Sequence, residues 1–227
     1  MSTRAAGRTV GALFLLAYVF YLGGSMLVDS GTGTADILAT AAGHQGEIAA
    51  GAVLMLLNSV AVAGIGVLAL PVLRRGGGEI SAHAYLVARV IEAMALAVGV
   101  VFLLSLIPLS REYAGGAPGL AALARVAKEG NFYGYQIGMM SLCLGGLLFC
   151  RVLLRARLVP RPLAVLGLAG YLLFLVETVL GILGSGLGPA LLVPGALFEV
   201  GVGVLLVVRG FPEPERALDG LPQAVPA

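Results

Sequence analysis

Six long apolar blocks run along the chain, separated by shorter polar stretches. A helix that crosses the hydrocarbon of a bilayer needs about 20 mainly apolar residues, within a range near 17–25. Val10–Val28, Ile48–Leu73, Ala84–Ile107, Phe132–Leu154, Leu163–Leu183 and Leu191–Val208 meet that length. Lipid offers backbone groups no partners, so only helices or a closed barrel can cross it. These blocks lack the short in-out alternation of barrel strands. The pattern predicts an all-α fold, a bundle of six transmembrane helices within one domain over residues 1–211. From 212 to 227 the chain is polar and proline-rich, which predicts a disordered cytoplasmic tail.

Composition sharpens this. Of 227 residues, 59% are hydrophobic and 11% charged, against about 45–50% and about a quarter in soluble domains. The net charge of +2 comes from basic residues set between the apolar blocks, with no basic and aromatic run suited to nucleic acid. If the helices alternate, Arg4, Arg8, Arg74, Arg75, Arg151, Arg155, Arg157, Arg161, Arg209 and Arg216 share one side, and only Arg111, Arg125 and Lys128 lie on the other. That bias predicts cytoplasmic termini. The first block exceeds the usual signal-peptide core of about 7–15 apolar residues and reads as a retained helix.

The connections carry turn signals. Arg75-Gly-Gly-Gly-Glu79 predicts a tight hairpin between spans two and three, and Leu158-Val-Pro-Arg-Pro162 a turn between spans four and five. In the third connection Pro118 predicts a helix start and Gly130-Asn131 a stop. Leu120, Leu123 and Ala127 would share the apolar face of that helix. It reads as a connector covering the bundle, with a surface-lying lid as the functional alternative. Gly7-xxx-Gly11 and Gly134-xxx-Gly138 allow close helix approach, read first as packing within the bundle. A homo-oligomer or a membrane partner is left open. Cys143 and Cys150 are two helical turns apart, roughly 10 Å, too far to bridge each other.

Ionisable groups at membrane depth are costly and usually face a bundle interior, which singles out Arg89, Glu92, Glu177 and Glu199. At about 1.5 Å per residue, Arg89, Glu92 and Glu199 lie about 7, 12 and 13 Å from the cytoplasmic ends of their spans. Arg89 and Glu92 are three apart and share a helix face. The expected arrangement is an Arg89–Glu199 pair across the bundle with Glu92 beside it. A second layer would hold Glu177, Asn58 and Gln136, about 21, 22 and 27 Å deep, with Asn58 hydrogen-bonding Glu177. One guanidinium and two carboxylates sum to minus one if all are ionised, so the first layer calls for a proton or another cation.

HExxH, GxSxG and Walker motifs are absent, and enzyme activity is not indicated. Gly184-Ser-Gly-Leu-Gly188 joins two apolar blocks and reads as a tight turn rather than a dinucleotide loop. His44 and His83 fall on opposite sides of the bundle, so they cannot pair on one haem. No cofactor or metal site is expected. The stretches Ala88-Arg-Val-Ile-Glu-Ala93, Ser105-Leu-Ile-Pro-Leu-Ser110, Leu158-Val-Pro-Arg161 and Pro194 to Glu199, with Gly210-Phe211, resemble the bacterial membrane family known as domain of unknown function 4386. The resemblance covers nearly the whole chain. It implies a multi-pass protein of the bacterial inner membrane and assigns no activity, and its motifs fall on Arg89, Glu92 and Glu199.

Three functions fit these residues and differ in what they require. A small transporter or ion- or proton-coupled protein needs a water-accessible cavity reaching Glu92 and Glu199. A non-catalytic scaffold or partner subunit needs a dry, fully paired layer. An intramembrane lipid-binding protein or enzyme needs a lateral opening beside the acids. The ligand, ion or small molecule, is not legible in the residues.

Overall fold

The computed structural model describes residues 2–33 and 36–212. The expected tail beyond Pro212 lies outside the described residues. Among the described residues seven α-helices form: α1 (Thr3–Thr32), α2 (Ile37–Gly43), α3 (Gln45–Gly77), α4 (Glu79–Ala114), α5 (Leu120–Arg155), α6 (Arg161–Ile182) and α7 (Val193–Arg209). A 3-10 turn, Pro189–Leu192, leads into α7. Six helices are long and apolar enough to cross a membrane, the last counted with its 3-10 turn; only α2 is not. Val19, Met26, Val60, Met94, Val101, Ile137 and Val165, spread over five of them, are each more than half exposed. Outward apolar side chains on helix after helix are what a lipid-facing surface requires, since water would penalise so large a patch.

The six long helices make a ring. α1 packs on α3, α3 on α4, α4 on α5, α5 on α6 and α6 on α7, and α7 closes back on α1. Glycines make that closure. A Cβ on Gly7 would meet Phe211 N and Gly210, and one on Gly11 would meet the Gly203 carbonyl at 2.5 Å. On its other flank α1 packs on α3, where Gly24 and Gly51 lie each against the other's carbonyl. Gly134 and Gly138 face Gly99 and Leu96 of α4. Both small-residue motifs thus serve packing within the chain. Ser2 and Pro212, the two ends of the described chain, lie on one side, where Arg8 reaches the Val208 carbonyl.

The connections differ from the sequence expectation in one respect that matters. α5 runs unbroken through Gly130 and Asn131, so these residues do not stop a helix. A Cβ at Gly130 would lie 2.6 Å from the Phe102 ring, and Gly99 contacts Asn131. Glycine serves close approach of α4 and α5 here, a role that a stop signal mimics in sequence. The inward face of that segment is Ala124 and Ala127, while Leu123 points outward. The expected hairpin between α3 and α4 forms, with Gly78 alone as its link at φ 85, a conformation glycine adopts readily.

α4 and α5 each span 36 residues, about 54 Å and longer than the hydrocarbon is thick. Their overhang, away from the chain ends, packs with α2. Val28, Leu38, Val100, Leu103, Leu106, Ala124 and Ala127 form a second small core there. Polar ties rim it: Lys128 to Asp29 at 3.3 Å, Arg111 to Gln45 at 2.9 Å and Tyr113 to Asp36 at 2.8 Å. Asp36 also caps α2 by accepting from Ala39 N at 3.0 Å.

Gly11→Leu should therefore open the α1–α7 seam. We expect a loss of about 1–3 kcal/mol or more from overpacking, read as unfolding in mixed micelles. Gly23→Ala, whose Cβ would meet only Leu54 Cδ1 at an ordinary 3.7 Å, should leave stability nearly unchanged. A second expectation concerns acid. The Ala39 N–H, and then the Tyr113 hydroxyl, hold the Asp36 carboxyl below its ordinary range. A group whose folded pKa is lowered contributes fully above its unfolded value and loses that contribution as pH falls through the lowered one. Protection of the α2 amides, corrected for intrinsic exchange, should fall at acid pH in the parent and stay level in Asp36→Asn.

Candidate functional site

A cavity of about 220 Å³ lies inside the ring, lined from α1, α3, α4, α5, α6 and α7. Its lining residues Tyr18, Val62, Glu92, Met139, Phe174 and Glu199 lie near the midpoints of their helices, which places the cavity at the centre of the bundle. The walls are mostly apolar and aromatic, with Phe14, Tyr18, Tyr21, Tyr135 and Phe174 among them. Arg89, Glu92, Glu199 and Asn58 are the charged and amide groups that reach it.

The helix period brings Arg89 and Glu92 to one face of α4, and the structure pairs them with each other. Arg89 Nη1 lies 2.9 Å from Glu92 Oε2, both side chains 3% exposed. This corrects the expected Arg89–Glu199 pair: a partner one turn away on the same helix lies closer than one across the cavity. The Arg89 Nε donates to the Val62 carbonyl at 3.4 Å, and the guanidinium sits 5.7 Å from the Phe14 ring centroid, within cation–π range. Gly66 on α3 makes room for the Arg89 stem, since a Cβ there would meet Arg89 Cβ at 2.9 Å. Glu92 Oε2, buried, has ion-pair contact but no well-directed hydrogen bond.

Glu199 is held differently. The Tyr18 hydroxyl donates to its Oε2 at 2.8 Å and the Tyr171 hydroxyl to its Oε1 at 2.7 Å. Two phenols from α1 and α6 thus clamp one carboxylate of α7. An ionised carboxylate accepts at both oxygens and fits this arrangement in full. The layer then holds one guanidinium and two carboxylates around a single cavity.

In the second expected layer the Asn58–Glu177 hydrogen bond does not form. Asn58 is buried and lines the central cavity instead of bonding Glu177. Glu177 accepts from Leu187 N at 2.8 Å and Gly188 N at 3.1 Å, so it ties down the turn before α7. Gln136 is buried against α6, where a Cβ at Gly181 would strike its amide.

The phenols and rings around the carboxylates escaped a reading that weighed only ionisable and amide groups. Their signal was present: Tyr18 and Tyr171 lie in mid-span, and a buried phenol needs a partner. Leu22, inside the apolar run of α1, lines the cavity and is 55% exposed, and Leu192 and Ala196 line it from the α7 end.

Six apolar helices around a polar centre define a multi-pass integral membrane protein, whose outer surface contacts the bilayer. The model of the family described as Domain of unknown function (DUF4386) matches residues 9–210, and the chain belongs to that family. Neither a curated protein nor a solved structure matches the chain.

Removing one member of the buried pair should cost more than removing both. Arg89→Gln leaves the Glu92 charge uncompensated and should destabilise by about 3–5 kcal/mol. Arg89→Gln combined with Glu92→Gln should recover a large part of that loss. Reversible unfolding of the three variants in micelles measures the cycle.

Proposed function

We propose that the protein binds a proton or small cation at the central cavity as part of a membrane transport cycle. The observation that carries this is a cavity shared by two carboxylates and a single guanidinium. With Glu92 already matched to Arg89, the Glu199 charge has phenol donors but no cation of its own. Inside a low-dielectric bundle such a surplus attracts a positive ligand or a proton. A purely structural ion pair would need only dry packing, so an open cavity beside it argues against the scaffold reading.

A second reading draws on Leu22, a cavity-lining residue in the apolar run of α1 that is itself exposed. A route past it would suit an amphipathic ligand arriving from the lipid, as an intramembrane lipid-binding protein would require. With the arginine-rich side in the cytoplasm, the residues of the seam between α1 and α7 would face inward, in the cytoplasmic membrane of a bacterium.

Infrared difference spectroscopy in nanodiscs, together with proteoliposome flux, tests the first reading. A carboxyl band should appear and vanish with pH, exchange in deuterated water and disappear in Glu199→Gln. Proton or monovalent-cation flux should fall about tenfold or more in Glu199→Gln and less in Tyr18→Phe, following the loss of a charged contact versus one hydrogen bond to it. A band that never responds to pH, with no flux in any buffer, would remove the transport reading.

A further inference from the structure

Away from the central cavity, on the side of the chain ends, Arg4, Arg8, Arg157 and Arg209 line one cleft of about 720 Å³. They come from the start of α1, the turn after α5 and the end of α7, so distant parts of the sequence converge there. Among the described residues no carboxylate lines it. The ion pairs of the described residues lie elsewhere, at Arg74–Glu79, His83–Glu79, Arg89–Glu92 and Lys128–Asp29. Four exposed arginines around one cleft give it a positive field that favours an anion. Leu158 and Leu205 give the same cleft apolar walls, as fits a site at the edge of the bilayer.

The backbone of Arg157 is a separate observation. It is the single described non-glycine residue at positive φ, 53. Leu158 N bonds Leu153 O at 2.9 Å and Arg157 N bonds Leu154 O at 3.4 Å. That pair of bonds is the Schellman ending of a helix, and Arg157 holds the left-handed position glycine usually takes. A side chain there is strained, so a chain selected only for stability would place glycine at this point. The strain instead delivers a fourth guanidinium to the cleft.

We propose that this cleft binds a phosphate anion, either the headgroup of an anionic phospholipid or a soluble phosphate. Arginine's planar fork suits phosphate oxygens, and several forks around one anion add geometric selectivity. A lipid headgroup would use the apolar walls as well, and would bridge α1, α7 and the α5–α6 turn where the ring closes.

The test uses the full chain in nanodiscs of phosphatidylcholine, titrated with short-chain phosphatidylglycerol and followed by native mass spectrometry and thermal unfolding. Phosphatidylglycerol should bind at least about tenfold more tightly than phosphatidylcholine, the ratio expected for about one charge-assisted contact. Arg157→Gly should lower that preference about tenfold while leaving unfolding in phosphatidylcholine unchanged or raised, because glycine relieves the strained turn. Arg4→Gln with Arg209→Gln should weaken it similarly. Competition by inorganic phosphate at millimolar concentration would identify the soluble anion as occupant, and its absence the lipid headgroup. Equal binding of the two lipids with no phosphate binding, or full selectivity retained in Arg157→Gly, would overturn the proposal. None of these readouts depends on the central carboxylates.

Discussion

Holding the buried Arg89 guanidinium in a bundle interior is the constraint around which much of this structure is arranged. Taking an ion out of water costs several kcal/mol, and hydrogen bonds, an opposite charge or an aromatic face must offset it. Glu92 supplies the charge from one turn away, Val62 a carbonyl and Phe14 a ring face. Each comes with a packing demand. Gly66 keeps α3 close enough to flank the arginine stem, and Phe14 ties α1 to the same centre through a tilted ring contact with Phe149. Deleting the arginine would loosen three helices as well as unpair a carboxylate.

With Glu92 committed to Arg89, Glu199 depends on phenols. This division explains why the two acids differ although they share a cavity. One belongs to an ion pair within a helix, and the other is suspended between α1 and α6 by Tyr18 and Tyr171. A carboxylate held by neutral donors keeps its charge available to a ligand, whereas one matched to arginine does not. The ring closes on the arginine-rich side through glycine contacts between α1 and α7, while α1 keeps α3 as its neighbour from Thr3 to Gly24.

Sequence alone determined the class of fold, because hydrocarbon thickness and unsatisfied backbone groups leave one solution for six apolar blocks of this length. It also marked Arg89, Glu92 and Glu199 as unusual, since charge at such depth is costly wherever it points. Partner choice was beyond it. Depth along an axis is one coordinate, and hydrogen bonds reach only about 3 Å, so Asn58 and Glu177 could be expected at one depth and still not meet. Gly130 shows the same limit from the other side: a helix stop and a close helix contact use the same residue, and only the neighbouring Phe102 decides between them. The tertiary structure decided which groups face one cavity, and it brought four arginines from three separate segments to one cleft. Both outcomes depend on rotation and approach of helices, which periodicity within a single helix does not encode.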